Sequence, residues 1–139
     1  MARQTNSQFA VAIHALTMLG SEPGRARSSR EMAVSVRVNP VHLRRVLTRL
    51  AAAGTVASRP GPNGGWQLDH DPSDIRLGEV WRAVNAGDSV FGRHAPNPDC
   101  PVGGRMTAVL DQLDERAATA LSIELNRISI ADLTTPRAG

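Results

Sequence analysis

Three arginines on one short stretch are the residues of this sequence best suited to bind a partner. They are Arg44, Arg45 and Arg49, within NPVHLRRVLTRL at residues 39–50. The apolar residues of this stretch recur at the i, i+3, i+4, i+7 spacing of one helix face, which leaves the arginines on another face. A guanidinium can form bidentate hydrogen bonds with guanine or phosphate, so this face suits nucleic acid. An ordinary helix with a solvated charged face is the alternative interpretation.

The residues around this stretch predict a helix followed by a hairpin. Asn39 is a good N-cap and Pro40 suits the first helical position, whereas Gly54 can take the left-handed conformation that ends a helix. A short strand is expected at 55–58. The Asn-Gly-Gly sequence at 63–65 then predicts a two-residue hairpin turn, after which the chain returns as a second strand. This hairpin has the place of a wing.

A shorter helix is predicted just upstream. Ser28 and Glu31 have the spacing of a capping box, which predicts a helix that begins after Ser28. Only residues 35–38 separate it from the helix that begins after Asn39. A short helix, a tight turn and a second helix with an arginine-bearing face form a helix-turn-helix, whose second helix can lie in the DNA major groove.

Three segments of the chain resemble one protein family. They are VNPVHLRRVLTRLAAAGTVASRPGPNGGWQL, DPSDIRLGEVWRAVNAGD and ISIADL. These segments resemble the Rrf2 family of bacterial winged helix-turn-helix transcription regulators, in particular its IscR-like members, and the likeness extends over residues 7–133. The resemblance implies a homodimer that binds double-stranded DNA, usually represses transcription, and changes its DNA binding when it senses an effector.

Helix-turn-helix geometry predicts which residues contact DNA. The N-terminal end of the second helix reaches base edges, the start of the first helix meets phosphate, and a wing residue enters the minor groove. The predicted contacts are Asn39, Val41, His42, Arg44 and Arg45 for bases, Ser28, Ser29 and Arg49 for phosphate, and Arg59 for the wing. The family usually has its wing arginine one position later, where this chain has Pro60, and its recognition helix often carries other polar residues. The operator should therefore differ from that of the IscR-like members.

The charge distribution also favours a polyanionic partner. Residues 1–65 contain nine arginines and two acidic residues, whereas residues 66–139 contain seven arginines and eleven acidic residues. Such clustering is typical of nucleic-acid binding. The sequence lacks a phosphate-binding glycine loop, a metalloprotease motif and a nucleophile elbow, so no enzyme is predicted. One cysteine and no membrane-spanning stretch predict a cytoplasmic protein without a membrane partner.

Helical periodicity recurs on both sides of the helix-turn-helix. Phe9, Ile13 and Leu16 predict the core face of a first helix, and residues 75–84 predict a helix that caps the core. A helix from residue 101 towards 126 has an apolar stripe longer than a small domain needs, which predicts packing between two subunits. A short terminal turn that packs back is expected at 128–133.

The expected fold class is mainly α, a winged helix-turn-helix with a small β-hairpin wing and a long C-terminal dimerisation helix. Its predicted parts are a DNA-binding domain at 1–84, an effector loop at 85–100, and the dimerisation helix with its C-terminal turn at 101–133.

The effector loop ends at the single cysteine, Cys100. Cluster-binding members of the family have three cysteines before the dimerisation helix, and one thiolate cannot provide the usual ligation of an iron–sulfur cluster, so no cofactor is expected. No metal site is assigned, since His70, His94 and Cys100 are irregularly spaced for zinc. At the N-cap of a helix, Cys100 could be a redox or electrophile switch assisted by His94. The alternatives are a small-molecule effector, or an inert cysteine buried under the loop.

The function predicted from these features is a sequence-specific transcriptional regulator, a homodimeric repressor that binds a pseudo-palindromic operator. The alternative is a winged-helix module that controls a partner protein without specific DNA binding. Substitution of Arg44, Arg45 and Arg59 would abolish salt-sensitive DNA binding under the first interpretation alone.

Overall fold

Helices dominate the computed structural model, which describes residues 7–134 of the 139-residue chain. In chain order the elements are α1 (Ser7–Ser21), α2 (Ser29–Val36), α3 (Pro40–Ala52), β1 (Val56–Arg59), β2 (Gly65–Leu68), α4 (Leu77–Asn85), α5 (Pro101–Leu125) and α6 (Ile130–Thr134), with a 3₁₀ turn at Pro72–Asp74. This order confirms the predicted fold class, a winged helix-turn-helix with a long C-terminal helix, and dimerisation through that helix stays a prediction. Residues 1–6 of the predicted DNA-binding domain lie outside the described residues.

The hydrophobic core lies between α1, α2, α3 and α4. The residues on the inner face of α3 are at most 1% exposed, and they are Leu43, Val46, Leu47 and Leu50. From α1, Leu16 is fully buried, while Phe9 and Ile13 pack against the same core from positions that are partly exposed. The predicted core faces of both helices are therefore confirmed, and the polar side of α3 is left on the surface.

The helix-turn-helix depends on a cap at each side of its turn. At the start of α3, Asn39 is extended and its Oδ1 accepts a hydrogen bond from the Val41 N–H at 2.8 Å, as the N-cap prediction requires. At the end of α2, Arg37 takes a left-handed conformation with φ 60°, and its N–H donates to the Ala33 carbonyl at 2.8 Å. Gly54, with φ +82°, ends α3 as predicted.

The wing is an antiparallel hairpin with a longer loop than predicted. Val56 pairs with Leu68 at one end and Arg59 with Gly65 at the other, so residues 60–64 form the loop. The prediction of a two-residue turn at 63–65 is wrong. Pro60 and Pro62 cannot donate to a strand ladder and hold φ negative, so pairing stops before them. The chain instead turns where the Gly64 N–H donates to the Gly61 carbonyl at 3.0 Å.

The long helix α5 contacts the rest of the fold near its C-terminal end. A Cβ added to Gly78 of α4 would collide with Oδ1 of Asn126 and would lie 2.5 Å from the Ser122 carbonyl oxygen, so glycine permits this close crossing. Arg82 Nε donates to Ser122 Oγ at 3.0 Å across the same crossing. Within α5, all of which is described, Ser122 is the buried residue.

The C-terminal turn packs back as predicted. Ile130 of α6 is fully buried, its N–H donates to the Ile75 carbonyl at 2.9 Å, and the Leu77 N–H donates to the Ile128 carbonyl at 2.9 Å. These bonds fasten the chain after α5 to the start of α4. Among the described helices, none is long and apolar enough to cross a membrane.

Candidate nucleic-acid interface

The N-terminal half of α3 presents an exposed face with free donors. Val41 is 53% exposed, and Arg44 and Arg45 are also exposed. Neither guanidinium has a hydrogen-bond or ion-pair partner within residues 7–134. His42 is half-buried, and Asn39 uses its carbonyl oxygen as the cap, which leaves its amide nitrogen to donate. This face therefore offers arginine forks and an apolar side chain to a partner.

Arg49, one turn further along α3, is held by the protein itself. Its Nη1 donates to Oε1 of Gln8 at 2.6 Å and to the Val84 carbonyl at 2.8 Å. Arg49 thereby ties α3 to the first turn of α1 and to the last turn of α4. The phosphate contact expected for Arg49 stays a prediction, and its observed contacts give it a role in packing.

At the start of α2, Ser28 is exposed to solvent whereas Ser29 is buried. Ser28 Oγ accepts a hydrogen bond from the Glu31 N–H at 3.0 Å, which confirms half of the predicted capping box. The other half is absent from the described hydrogen bonds, because the Glu31 carboxylate binds arginines instead. Ser29 is only 8% exposed, so its hydroxyl is poorly placed for phosphate. Ser28 and the N-terminal N–H groups of α2 remain the accessible donors here.

The wing carries Arg59 on the side opposite to the core. Alternation along β1 and β2 puts Arg59 and Gln67 on one face and Trp66 on the other, where Trp66 packs against the core. With the Gln67 amide oxygen turned towards Arg59, that oxygen accepts from Nε at 2.7 Å and from Nη2 at 2.6 Å. This contact holds the exposed guanidinium along the outer face of the wing.

The tip of the wing lies beside the start of α2. A cleft of about 410 Å³ separates them, and its walls are formed by Arg25, Ala26, Ser28, Glu31, Pro62, Asn63 and Gly64. The second wing strand is also paired on its other edge, where Arg27 and Trp66 form an antiparallel bridge. Sequence periodicity did not predict this bridge, since it joins residues far apart in the chain.

The segment between α4 and α5 is anchored by a residue that the sequence did not single out. Asp114 of α5 accepts hydrogen bonds from Ser89 Oγ at 2.7 Å, from the Val90 N–H at 2.6 Å and from the Phe91 N–H at 3.0 Å. Desolvation raises the pKa of Asp114, but these hydrogen bonds and the charge of Arg93 outweigh it, so the pKa lies below its ordinary value. The ionised carboxylate therefore holds the loop.

Cys100 is exposed, so the alternative of a cysteine buried under the loop is wrong. It occupies the N-cap of α5 with an extended backbone, and Pro101 follows as the first helical residue. The backbone N–H groups of Gly103 and Val102 face the sulfur and lower the pKa of the thiol. This direction agrees with the prediction that the helix N-terminus favours a thiolate.

His94 and Cys100 share no hydrogen bond among the described residues. His94 lines a cavity of about 580 Å³ between the loop and α5, whose walls come from residues 87–95 and 107–114. Cys100 lies outside these ranges. The assistance that His94 was expected to give to the thiol has no supporting contact among the described residues.

A helix-turn-helix that exposes free arginines and is followed directly by a β-hairpin wing defines the winged helix-turn-helix class of DNA-binding proteins. A sequence profile of Rrf2, described as an iron-dependent transcriptional regulator, matches residues 5–136. The chain therefore belongs to the Rrf2 family of transcriptional regulators.

Individual relatives agree with this assignment. YwnA of Bacillus subtilis, named as an HTH-type transcriptional regulator, is 40% identical over 129 residues, which cover 92% of this chain and 95% of YwnA. NsrR of the same organism, also named as an HTH-type transcriptional regulator, is 27% identical over 123 residues, which cover 88% of this chain and 84% of NsrR. A crystal structure described as that of a DNA-binding protein superposes with a TM-score of 0.70 at 36% identity and covers 92% of this chain and 99% of its own.

The donor atoms of this chain do not fit the iron–sulfur cluster that its resemblance to cluster-binding members implies. Cys100 is the single cysteine of the sequence. Within residues 7–134, no group of three or more histidine, cysteine, aspartate or glutamate side chains is placed to hold a metal ion. Thiolate ligation of a cluster needs several such donors close together.

Proposed function

We propose that this Rrf2-family regulator is a homodimeric repressor, acting in the cytoplasm, that binds a pseudo-palindromic operator. The observation that carries the proposal is the free pair Arg44 and Arg45 on the exposed face of α3, next to a wing whose Arg59 points outward. A buried or paired arginine would have to lose its partner before it bound DNA. Arg44 and Arg45 lose only water.

In the proposed complex, α3 lies in the major groove with its N-terminal half towards the bases. Arg44 and Arg45 bind guanine edges or the flanking phosphates, and the exposed Val41 packs against thymine methyl groups. Ser28 and the start of α2 meet the phosphate backbone, while Arg59 follows the wing into the minor groove. Asn39 donates from its free amide nitrogen, and half-buried His42 stands at the edge of this surface.

The exposed apolar side of α5 supports the dimer. In the single chain, Val102 is 55% exposed, Val109 44% and Leu113 46%. A helix of 25 residues is about 37 Å long, so such a surface is large for a side that faces water. Packing of α5 against the same helix of a second copy would bury it, and a two-fold dimer would place two copies of α3 about one DNA turn apart, or a multiple of it.

The loop at 86–100 is the proposed effector region. It acts by binding or by reaction of the thiol, without enzymatic turnover, an iron–sulfur cluster or a metal. The exposed Cys100 thiolate could attack a hydroperoxide, which forms a sulfenic acid on Sγ and releases hydroxide or an alkoxide. The alternative effector is a small molecule in the cavity beside His94. Either event would change the start of α5 and hence the proposed dimer.

The test begins with DNA duplexes that the wild-type protein selects from a random library. Fluorescence anisotropy at two salt concentrations would then compare wild type with Arg44→Ala, Arg45→Ala and the control Arg127→Ala. The side chain of Arg127 is 72% exposed in the turn after α5, so its removal gives the same change in net charge away from α3. Each α3 variant should bind at least about thirtyfold more weakly, since the substitution removes a bidentate base contact of about 1–3 kcal/mol from each subunit of the dimer.

Two outcomes would overturn the proposal. Equal affinities of the α3 variants and the control would show that α3 does not read DNA. Failure of the wild type to select any sequence, with only weak binding that falls steeply with salt, would favour the protein-interaction module.

A further inference from the structure

Arg27 lies where three elements of the DNA-binding fold meet. Its N–H donates to the Trp66 carbonyl at 2.9 Å, and its carbonyl accepts from the Trp66 N–H at 2.7 Å. This pair makes Arg27 the neighbour of β2 on the edge that β1 leaves open. The backbone at Arg27 therefore sets where the second strand of the wing begins.

The approach of β2 to Arg27 is unusually close. Gly65 has φ +139°, and a Cβ at this position would lie 2.5 Å from both the carbonyl carbon and the carbonyl oxygen of Arg27. Gly65 pairs in turn with Arg59 across the hairpin. A shift of the backbone at Arg27 would therefore displace Gly65 and, through the strand pairing, Arg59.

The side chain of Arg27 anchors that backbone. It is only 13% exposed, and its Nη2 lies 3.0 Å from Oε1 of Glu22, just after α1, while its Nη1 lies 3.3 Å from Oε1 of Glu31 in α2. Its Nε is buried without a partner in the part of the chain that the structure describes. The side chains of Glu22 and Glu31 are 51% and 41% exposed, so these ion pairs contribute little net stability, and the larger effect of Arg27 is expected in the geometry that it imposes.

Arg25 binds the same two carboxylates from the solvent side. Its Nη1 lies 3.0 Å from Glu22 Oε2 and its Nη2 lies 3.0 Å from Glu31 Oε1, with half of its side chain exposed. It has no described backbone bond to the wing, since its N–H donates to the Glu22 carbonyl at 3.1 Å. Arg25 is therefore a matched control, an arginine with the same ionic partners but without the strand pairing.

We propose that Arg27 is a positioning residue for DNA recognition, which fixes the wing and its Arg59 against the helix-turn-helix without contacting DNA itself. The inference rests on the proposed function, because it assigns the wing a part in operator binding. The carboxylates that Arg27 binds belong to Glu22, just after α1, and to Glu31, in the first turn of α2. These ion pairs hold the wing in a fixed position relative to the helices that place α3.

A double-mutant cycle tests the inference, with wild type, Arg27→Met, Arg59→Ala and the combined variant measured on the selected duplex. Arg27→Met should weaken operator binding about fivefold in the wild-type background and less than about twofold when Arg59 is already alanine, because coupled residues are not additive. Arg25→Ala should have an equal effect in both backgrounds. A merely structural role would lower affinity equally with and without Arg59.

The outcomes separate this inference from the proposed function. Equal losses in both backgrounds, or no loss from Arg27→Met, would overturn the inference about Arg27. Weaker operator binding by Arg44→Ala in the same assay would still support the proposed function. If circular dichroism shows that Arg27→Met does not fold, the combined Glu22→Gln and Glu31→Gln variant replaces it in the same cycle. That variant keeps Arg27 but removes its carboxylates, and the same non-additivity is required of it.

Discussion

The contacts of Arg49 predict that alanine at this position will destabilise the fold without removing a contact between the protein and a DNA phosphate. Substitution removes the hydrogen bonds to Gln8 and to the Val84 carbonyl, and with them a link between α3, α1 and α4. Arg45→Ala is the matched control, since it removes a guanidinium one turn earlier on the same helix that has no partner among the described residues.

The size of the effect follows from these two bonds. Hydrogen bonds to charged groups contribute about 1.5–3 kcal/mol each when buried, and competition from solvent at this exposed side chain reduces the pair to about 1–2 kcal/mol. An unfolding entropy of about 2.1 cal/mol/K per residue gives about 0.29 kcal/mol/K for 139 residues. Arg49→Ala should therefore lower Tm by about 3–7 °C, and Arg45→Ala by less than about 2 °C.

Thermal denaturation followed by circular dichroism measures Tm. DNA titration over a range of salt concentrations measures the slope of log K against log salt, which reports contacts with phosphate. A phosphate contact from Arg49 in each subunit of a dimer would make the slope of log K against log salt about 1.8 units shallower in the alanine variant. We expect an unchanged slope. A shallower slope together with an unchanged Tm would refute the packing role and support the phosphate contact.

Three further perturbations have defined outcomes. Alkylation of Cys100 by iodoacetamide should reach half of its maximal rate at a lower pH than alkylation of N-acetylcysteine, because backbone N–H groups at the start of α5 lower the pKa of the thiol; an equal midpoint would contradict this. Asp114→Asn should speed proteolysis within residues 86–100, and since the folded pKa of Asp114 is lowered, the wild-type anchor should persist above the ordinary carboxyl pKa and weaken as pH falls through the folded value. Leu113→Glu should yield a monomer in light scattering after size exclusion, whereas the neighbouring Gln112→Glu should remain a dimer; a monomeric wild type would remove the basis of this expectation.

The elements predicted best from sequence are those set by local chemistry. The bounds of α3 follow from the Asn39–Pro40 cap and from Gly54, and its buried face follows from periodicity. The fold class needed these signals together with the capping box before α2, the hairpin after α3 and the periodicity of the long C-terminal helix. Contacts between residues that lie far apart in the chain were not predicted. The place of Arg49 on its helix is known from sequence, but its partners Gln8 and Val84 are not, and the phosphate contact expected of Arg49 stays a prediction.

Competition between neighbours accounts for the remaining differences. The Glu31 carboxylate could close the capping box or bind arginine, and two guanidinium groups lie within reach, so the charged pairs form. The wing loop was expected to be short because the Asn-Gly-Gly signal was read without the prolines around it. Asp114 lies among several acidic residues of α5 and carries no motif, so only the folded loop shows what it binds.

Because α5 crosses α4 at Gly78 near its own C-terminal end, a rotation of α5 about this crossing would displace its N-terminal end the most. About 21 residues lie between Ser122 and the start of α5, which corresponds to an arm of about 31 Å. A rotation of about 10° at the crossing would move the far end by about 5 Å, which is close to one helical turn. In the proposed dimer, a small change in the tilt of α4 would be magnified into the distance between the two recognition helices. A methyl group at residue 78 would shift this crossing, so in the proposed dimer the preferred operator spacing would depend on a residue that lies far from the DNA.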